Sequence, residues 1–294
     1  MTLPTRDTRV TYPDGAVEAR ARVLHVAAAG EGRLAVITDV TSFHPVDAAW
    51  PDQPADTGVI RSGGTAFPVV DAVVAASDGT ELFLGAEVPV RKGTEGWAFV
   101  VAHLLDEGAA IAEGDEVGIE ADAAVRRSLS IGHTACHVAS LALNHALAGR
   151  WSKPARTDAL GDPDFDGIAI DTSRILPDGS VDRYRLNKSL RRAGFDATGL
   201  DGALDELAAS VEATLAEWAE SGAVVRVERD GSGDGLTDRR SWVCELPGGT
   251  ARIPCGGTHA GSLAELGELR VSFEFSEDGG TPVLEMRTRA VADR

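Results

Sequence analysis

The scarce metal-binding residue types of this chain fall into matched pairs. Of three cysteines and seven histidines, His133 and His137 lie four residues apart in GHTACH (132–137), and Cys255 and His259 repeat that spacing in CGGTH (255–259). On a helix, residues four apart project from one face, so both imidazoles of the first pair can reach one ion. Mixed imidazole and thiolate donors suit a borderline-soft cation such as Zn²⁺, at about 2.0–2.3 Å. Either pair alone is a weak signal; two pairs from distant segments predict one metal site, His133, His137, Cys255 and His259. The other histidines, His25, His44, His103 and His145, show no such pairing and read as ordinary residues. Cys136 would leave the ligand helix on another face and reads as packing, and Cys244 as core.

Such a site supports two kinds of chemistry. With three firm protein ligands, zinc keeps an open position and lowers the pKa of a bound water towards about 7. With four, the site is closed and the metal chiefly organises its surroundings. The spacing leaves both open.

The elements that must position these residues divide near residue 120. Up to there, short runs such as ARVLHVAA, RLAVITDV, FPVVDAVVAA and GWAFVVAHL are separated by Gly, Asp and Pro turns, the pattern of a small barrel or sandwich. GDEVGIEAD (114–122) reads as its closing strand. The expected organisation is a β-rich, barrel-like domain over 1–120 and a metal-binding α+β domain over 121–294. The second begins with a helix-compatible stretch from Ala123 to Leu147, in which Gly132 costs about 1 kcal/mol relative to Ala and offers an alternative start. A loop rich in Pro, Asp and Gly follows (151–167). Leu204, Leu207, Val211, Leu215 and Trp218 recur at spacings of three and four, which predicts a helix over 202–221, capped by Asp201 and ended by Gly222. Strands are expected at AVVRVER, SWVCEL, LRVSFEF and PVLEMRTRA. The overall class is α+β.

Charge constrains partners. The formal net charge is −18, which taken alone argues against a nucleic-acid partner, since phosphate binding rests on cations, and no DNA partner is expected. The charge is uneven, however: residues 183–192 (RYRLNKSLRR) and 150–156 (RWSKPAR) are basic only. They read either as solvated faces or as a cationic patch on an acidic body. No run of eighteen apolar residues and no secretory apolar core is present, so no membrane partner is expected. Few cysteines suit a reducing compartment, and the expected location is cytoplasmic.

The motifs resemble the editing domain of alanyl-tRNA synthetase and its freestanding relatives, the alanyl-tRNA editing proteins, with a related domain in threonyl-tRNA synthetase. The likeness is carried by Arg126-Arg127 before HTACH, by CGGTHAGSLAELGELRV, and by TSFHPVDAAWPDQPADTG (41–58), which is similar to the family's TxFYPxGGGQPxDxG signature. SVEATLAEWAESGAVVRV (210–227) resembles the helix and strand between the two metal pairs. The resemblance implies a zinc-dependent hydrolase that cleaves the ester between a mischarged amino acid and the acceptor end of tRNA. A chain of 294 residues leaves no room for an aminoacylation core beside this domain, so action in trans is expected. The four ligands transfer onto the family's metal positions. Gln53, Pro54, Asp56 and Gly58 match the signature, as a turn shaping the barrel or, for Gln53, a substrate contact.

Three departures bear on the substrate. VDAAWPD replaces the signature's glycine run with extra residues, Ile253 stands where the family usually has an acid, and 166–186 replaces a strand of arginine, aromatic and acidic residues. The amino acid is therefore expected to be small or threonine-like, including non-proteinogenic analogues. Asp171, Thr172 and Ser173 read either as contacts to the amino group or side-chain hydroxyl, with Asp171 and Thr172 as catalytic candidates, or as turn and cap residues. Arg183, Arg185, Arg191 and Arg192 are the candidate tRNA contacts. The rival reading is a metal-dependent hydrolase of a small ester or amide without tRNA.

Overall fold

A computed structural model describes residues 3–291 and separates the chain into two units. The first comprises the chain up to Arg126 with Arg229–Arg240 and Gly256–Thr258; the second comprises Arg127–Glu228, Ser241–Cys255 and the chain from His259 onward. The class is α+β, as expected.

In the first unit the strands are β1 (Arg9–Val10), β2 (Glu18–Ala28), β3 (Arg33–Thr38), β4 (Val40–Thr41), β5 (Gly58–Ser62), β6 (Thr65–Val69), β7 (Asp71–Ser77), β8 (Leu82–Leu84), β9 (Ala98–Asp106) and β10 (Glu116–Ala121). Eight of them form one antiparallel sheet in the order β6-β5-β10-β2-β3-β9-β7-β8. β6 lies at one edge and β7 next to the other, yet only Val70 separates them in the chain. One residue spans about 3.5 Å, so the sheet must curl until its ends approach; Val70 N accordingly donates to Leu104 O of β9 (2.9 Å). The sheet is barrel-like for this reason. A bulge between Val23 and His25 lets β2 bend as it passes from β10 to β3. β3, β7 and β9 are buried on both faces: Val36, Val74 and Val101 join one apolar cluster, and Ala35, Ile37, Ala75, Val100 and Ala102 form another. That explains their near-continuous apolar runs.

The signature residues of this unit have structural employment. Arg126 Nε donates to Asp56 Oδ1 (2.8 Å), and its Nη2 reaches both Asp56 Oδ2 and Ser42 O. Asp56 also accepts from His44 N. Both members of the ion pair are buried. A Cβ on Gly58 would lie 2.1 Å from Glu120 O, so only glycine admits this strand approach.

The second unit contains α1 (Ala123–Ala146, its first turn belonging to the first unit), α2 (Phe165–Ala169), β11 (Ile170–Leu176), β12 (Gly179–Arg185), α3 (Lys188–Ala193), α4 (Leu204–Glu220), β13 (Val225–Arg229, its last residue in the first unit), β14 (Arg240–Leu246, its first residue in the first unit), β15 (Gly249–Pro254), β16 (Glu268–Asp278) and β17 (Thr281–Val291). β11-β12-β17-β16 form one antiparallel sheet and β13-β14-β15 another. One core joins Val138, Ala142 and Leu143 of α1, Leu207, Val211, Leu215 and Trp218 of α4, and Leu284 and Met286 of β17. Between Leu129 and Asn144, α1 is buried apart from His137, so each polar side chain there needs a partner. Ser140 Oγ donates to His137 O (3.1 Å), and Asn144 Nδ2 to Asp158 Oδ2 (2.9 Å).

Two local expectations are corrected. Gly132 does not begin the ligand helix but sits inside a continuous α1, because a Cβ there would meet Leu176 O at 2.2 Å and Gly179 O at 2.6 Å. Close packing on the β11–β12 turn outweighs helix propensity. Asp201 does not cap α4: the N-cap is Ala203, with no side-chain cap. Among the described residues no helix is long and apolar enough to cross a membrane.

Candidate metal centre

The two motifs meet in the second unit. α1 presents His133 and His137 from one face, and the segment after β15 brings in Cys255 and His259. One ligand atom from each of the four residues lies within 4.8 Å of every other. Cys255 Sγ is 3.4 Å from His133 Nε2 and 3.3 Å from His259 Nε2. Donors about 2.0–2.3 Å from a common tetrahedral centre would be about 3.3–3.8 Å apart, so these spacings fit one small cation. A second observation agrees. Among the described residues, His137 Nε2 is buried with no hydrogen-bond partner, a costly state for a polar atom unless something else occupies its lone pair. Burial holds the His137 imidazole neutral, with its pKa lowered to about 4, the form a metal ligand requires. The residues therefore fit a metal ion.

The surroundings orient the ligands. Thr134 Oγ1 donates to Ser130 O (2.9 Å), receives Ala260 N–H (3.0 Å) and lies 3.4 Å from His259 Nδ1. Because its proton is committed to Ser130, the hydroxyl can only accept from His259. That places the ring proton on Nδ1 and leaves the Nε2 lone pair facing Cys255. Trp242, fully buried on β14, packs with its ring tilted 47° to that of His137 at a centroid distance of 5.1 Å, and 6.3 Å from His259. Ile253 pairs with Trp242 across β14 and β15, so two apolar side chains stand opposite each other there.

Neither Thr134 nor Trp242 was singled out from sequence. The threonine carried a faint signal, a hydroxyl between two ligands and four residues from Ser130. The tryptophan carried none.

Behind α1 lies a polar group of a different kind. Asp182 Oδ1 accepts from Ser173 Oγ (2.6 Å) and Cys136 Sγ (3.4 Å), and its Oδ2 from Ser180 Oγ (2.7 Å). Tyr184 OH donates to Asp166 Oδ1 (3.0 Å). Desolvation, reinforced by the Asp182 carboxylate, pushes Asp166 up to about 7, and burial also raises Asp182. Cys136 is buried, as packing requires, but its thiol is also a donor.

The remaining site expectations fall in several places. Asp171 and Thr172 are exposed on β11, Asp171 lying 4.0 Å from Arg185 Nη1. Ser173 is half-buried and bonded to Asp182. Arg183 and Arg185 pair with Asp278 (3.1 and 3.4 Å). Arg191 and Arg192 are exposed at the end of α3. In the first unit, Gln53 is buried and its amide bonds Thr258 twice, Nε2 to Oγ1 (2.9 Å) and Oε1 from the backbone N (3.1 Å).

Comparison with known proteins adds a relationship to this geometry. No protein-family model matches the chain. It is 25% identical over 283 residues to an alanine–tRNA ligase of Ruegeria pomeroyi, covering 95% of this chain and 27% of that protein. It is 29% identical over 263 residues to the alanine–tRNA ligase of a Nocardioides species, covering 87% and 24%. The chloroplastic/mitochondrial alanine–tRNA ligase of Micromonas pusilla is 26% identical over 261 residues, covering 88% and 25%. The chain thus spans about a quarter of the length of the curated relatives it matches.

Proposed function

We propose, with homology to a segment of alanine–tRNA ligase as the premise, that this protein hydrolyses the ester of a mischarged aminoacyl-tRNA with a zinc ion held by His133, His137, Cys255 and His259. The observation that carries the reading is the convergence of three imidazoles and one cysteine sulfur within 4.8 Å. Zinc is the cation that this soft-to-borderline donor set favours. Bound there, it would supply Lewis acidity or hold the ligand segments in place.

The chain's own residues do the rest. Thr134 fixes the ring of His259, and Trp242 packs as an apolar wall on His137. Asp171 and Thr172 are the polar groups left open to the aminoacyl moiety on β11, whereas Ser173 is engaged by Asp182. Gln53, engaged by Thr258, serves in this reading to fix that residue. Aminoacyl esters are activated, so positioning and modest charge stabilisation suffice. In this reading the substrate carries a small or threonine-like side chain, proteinogenic or not.

The charge of −18 favours a second reading, hydrolysis of a small ester or amide without RNA, because long-range repulsion opposes a polyanion. A deacylation panel separates the two: tRNAs charged with Ala, Ser, Gly, Thr and close analogues, beside a small aminoacyl ester. Faster release from one charged tRNA, abolished by a chelator, supports the first reading. Hydrolysis of the small ester with every charged tRNA left intact supports the second.

A further inference from the structure

Two basic segments distant in sequence lie side by side in the second unit. Ser152 donates to Gly194 O from both its backbone N (2.9 Å) and its Oγ (3.0 Å), and Asp196 N donates to Arg150 O (2.8 Å). Trp151 and Phe195 form a bridge between the segments, their rings edge-on at 5.3 Å. Gly194 permits the approach: its φ is +112°, and a Cβ would lie 2.7 Å from Lys153 Cγ. The pairing sets Arg150 and Lys153 beside α3, which carries Lys188, Arg191 and Arg192.

Four of the strip's five charges are uncommitted; the fifth, Arg150, is half-buried and donates from Nη1 to Asp196 O (3.3 Å) and Thr198 O (3.1 Å). Lys153, Lys188, Arg191 and Arg192 are exposed, and among the described residues none of them forms an ion pair with a carboxylate. Elsewhere Arg9, Arg61, Arg226 and Arg270 are each neutralised by an acid. The acid within the strip, Asp196, accepts from Thr198 N (2.9 Å) and faces Arg150. Arg183 and Arg185 belong to the same basic run but not to the strip's free charge, since both pair with Asp278.

We propose that Arg150, Lys153, Lys188, Arg191 and Arg192 form a docking surface for the phosphate backbone of RNA. This deepens the deacylase reading, and rests on it, by naming where the tRNA lies. Charge complementarity identifies the partner. On a chain of net charge −18 a polyanion is held only where unpaired cations cluster, and flexible lysine and arginine heads track phosphates rather than bases.

The test is anisotropy of a labelled, uncharged tRNA transcript with the full chain across a potassium chloride series. Binding to nucleic acid weakens with salt by a slope of about −0.7 to −0.9 per neutralised phosphate. The K153A/K188A/R191A/R192A variant is expected to shrink that slope by about 3 and to weaken binding at low salt at least about tenfold. Because these side chains are exposed, an unchanged melting curve is expected for it, and R191E/R192E repeats the test with two changes. The control variant R226A/R270A should bind as wild type. A wild-type slope in the quadruple variant, equal loss in the control, or strip-dependent binding to phosphatidylserine vesicles without binding to tRNA would overturn the proposal. The probe carries no ester, so the two readings fail separately. Deacylation of charged tRNA with strip-independent binding removes only the docking surface; strip-dependent binding with no deacylation removes only the deacylase.

Discussion

The hydroxyl of Thr134 stands 3.4 Å from Nδ1 of His259 while holding the backbone N–H of Ala260 and giving its own proton to Ser130. One side chain of the ligand helix thereby sets the ring orientation of a ligand supplied by the other motif. Thr134→Val keeps the volume and removes the hydroxyl. Zinc affinity, read by competition with a chromogenic chelator, should fall about 10–100-fold. Stability should fall by about 1–3 kcal/mol because Ala260 N–H is left unpaired. Thr134→Ser should restore most of both. Wild-type affinity in the valine variant would remove the orienting role.

Gly132 offers a test in which two effects have opposite signs. Helix propensity favours Gly132→Ala by about 1 kcal/mol. The alanine Cβ, however, would sit 2.2 Å from Leu176 O and 2.8 Å from Gly179 N, both backbone atoms. Overpacking of this kind typically costs about 1–3 kcal/mol, occasionally more. Chemical denaturation should therefore show a net loss; a stabilised variant would mean that the helix and turn are not packed as described.

The buried pair Asp56–Arg126 assigns a structural cost to the signature aspartate. Asp56→Asn removes the charge that balances a buried guanidinium, and a loss of about 3–5 kcal/mol is expected from urea unfolding. A loss below about 1 kcal/mol would show that water reaches Arg126.

Asp166 makes stability depend on pH. Its carboxyl is raised from 3.8 to about 7, chiefly by desolvation and then by Asp182, so the folded state binds this proton more tightly than the unfolded chain. The stabilisation is complete below pH about 4 and is lost as pH rises towards 7, on the order of 2–4 kcal/mol across the window. Asp166→Asn can still accept from Tyr184 OH and should flatten this part of the profile. Parallel profiles for the two proteins between pH 4 and 8 would contradict the assignment.

Much of this was legible in the sequence, for identifiable reasons. Metal ligation demands particular residue types at particular spacings, so His133, His137, Cys255 and His259 stood out before any fold was known. Short runs between Gly, Asp and Pro turns marked β2 and β10, and spacings of three and four marked α4. What stayed hidden depended on contacts between remote segments. Asp182 and Arg183 are neighbours in a polar stretch, yet one is buried among hydroxyls and the other pairs with Asp278. The pairing of Ser152 with Gly194 has no local signature. Asp201 failed as a cap because the helix begins later, at Leu204.

The most direct test of the central claim is elemental analysis of the purified protein beside its C255A/H259A variant. The account predicts about one zinc per chain in the wild type and its loss in the variant, because thiolate and imidazole from the second motif complete the site. A wild type without stoichiometric metal, or a variant that keeps full zinc, would contradict it.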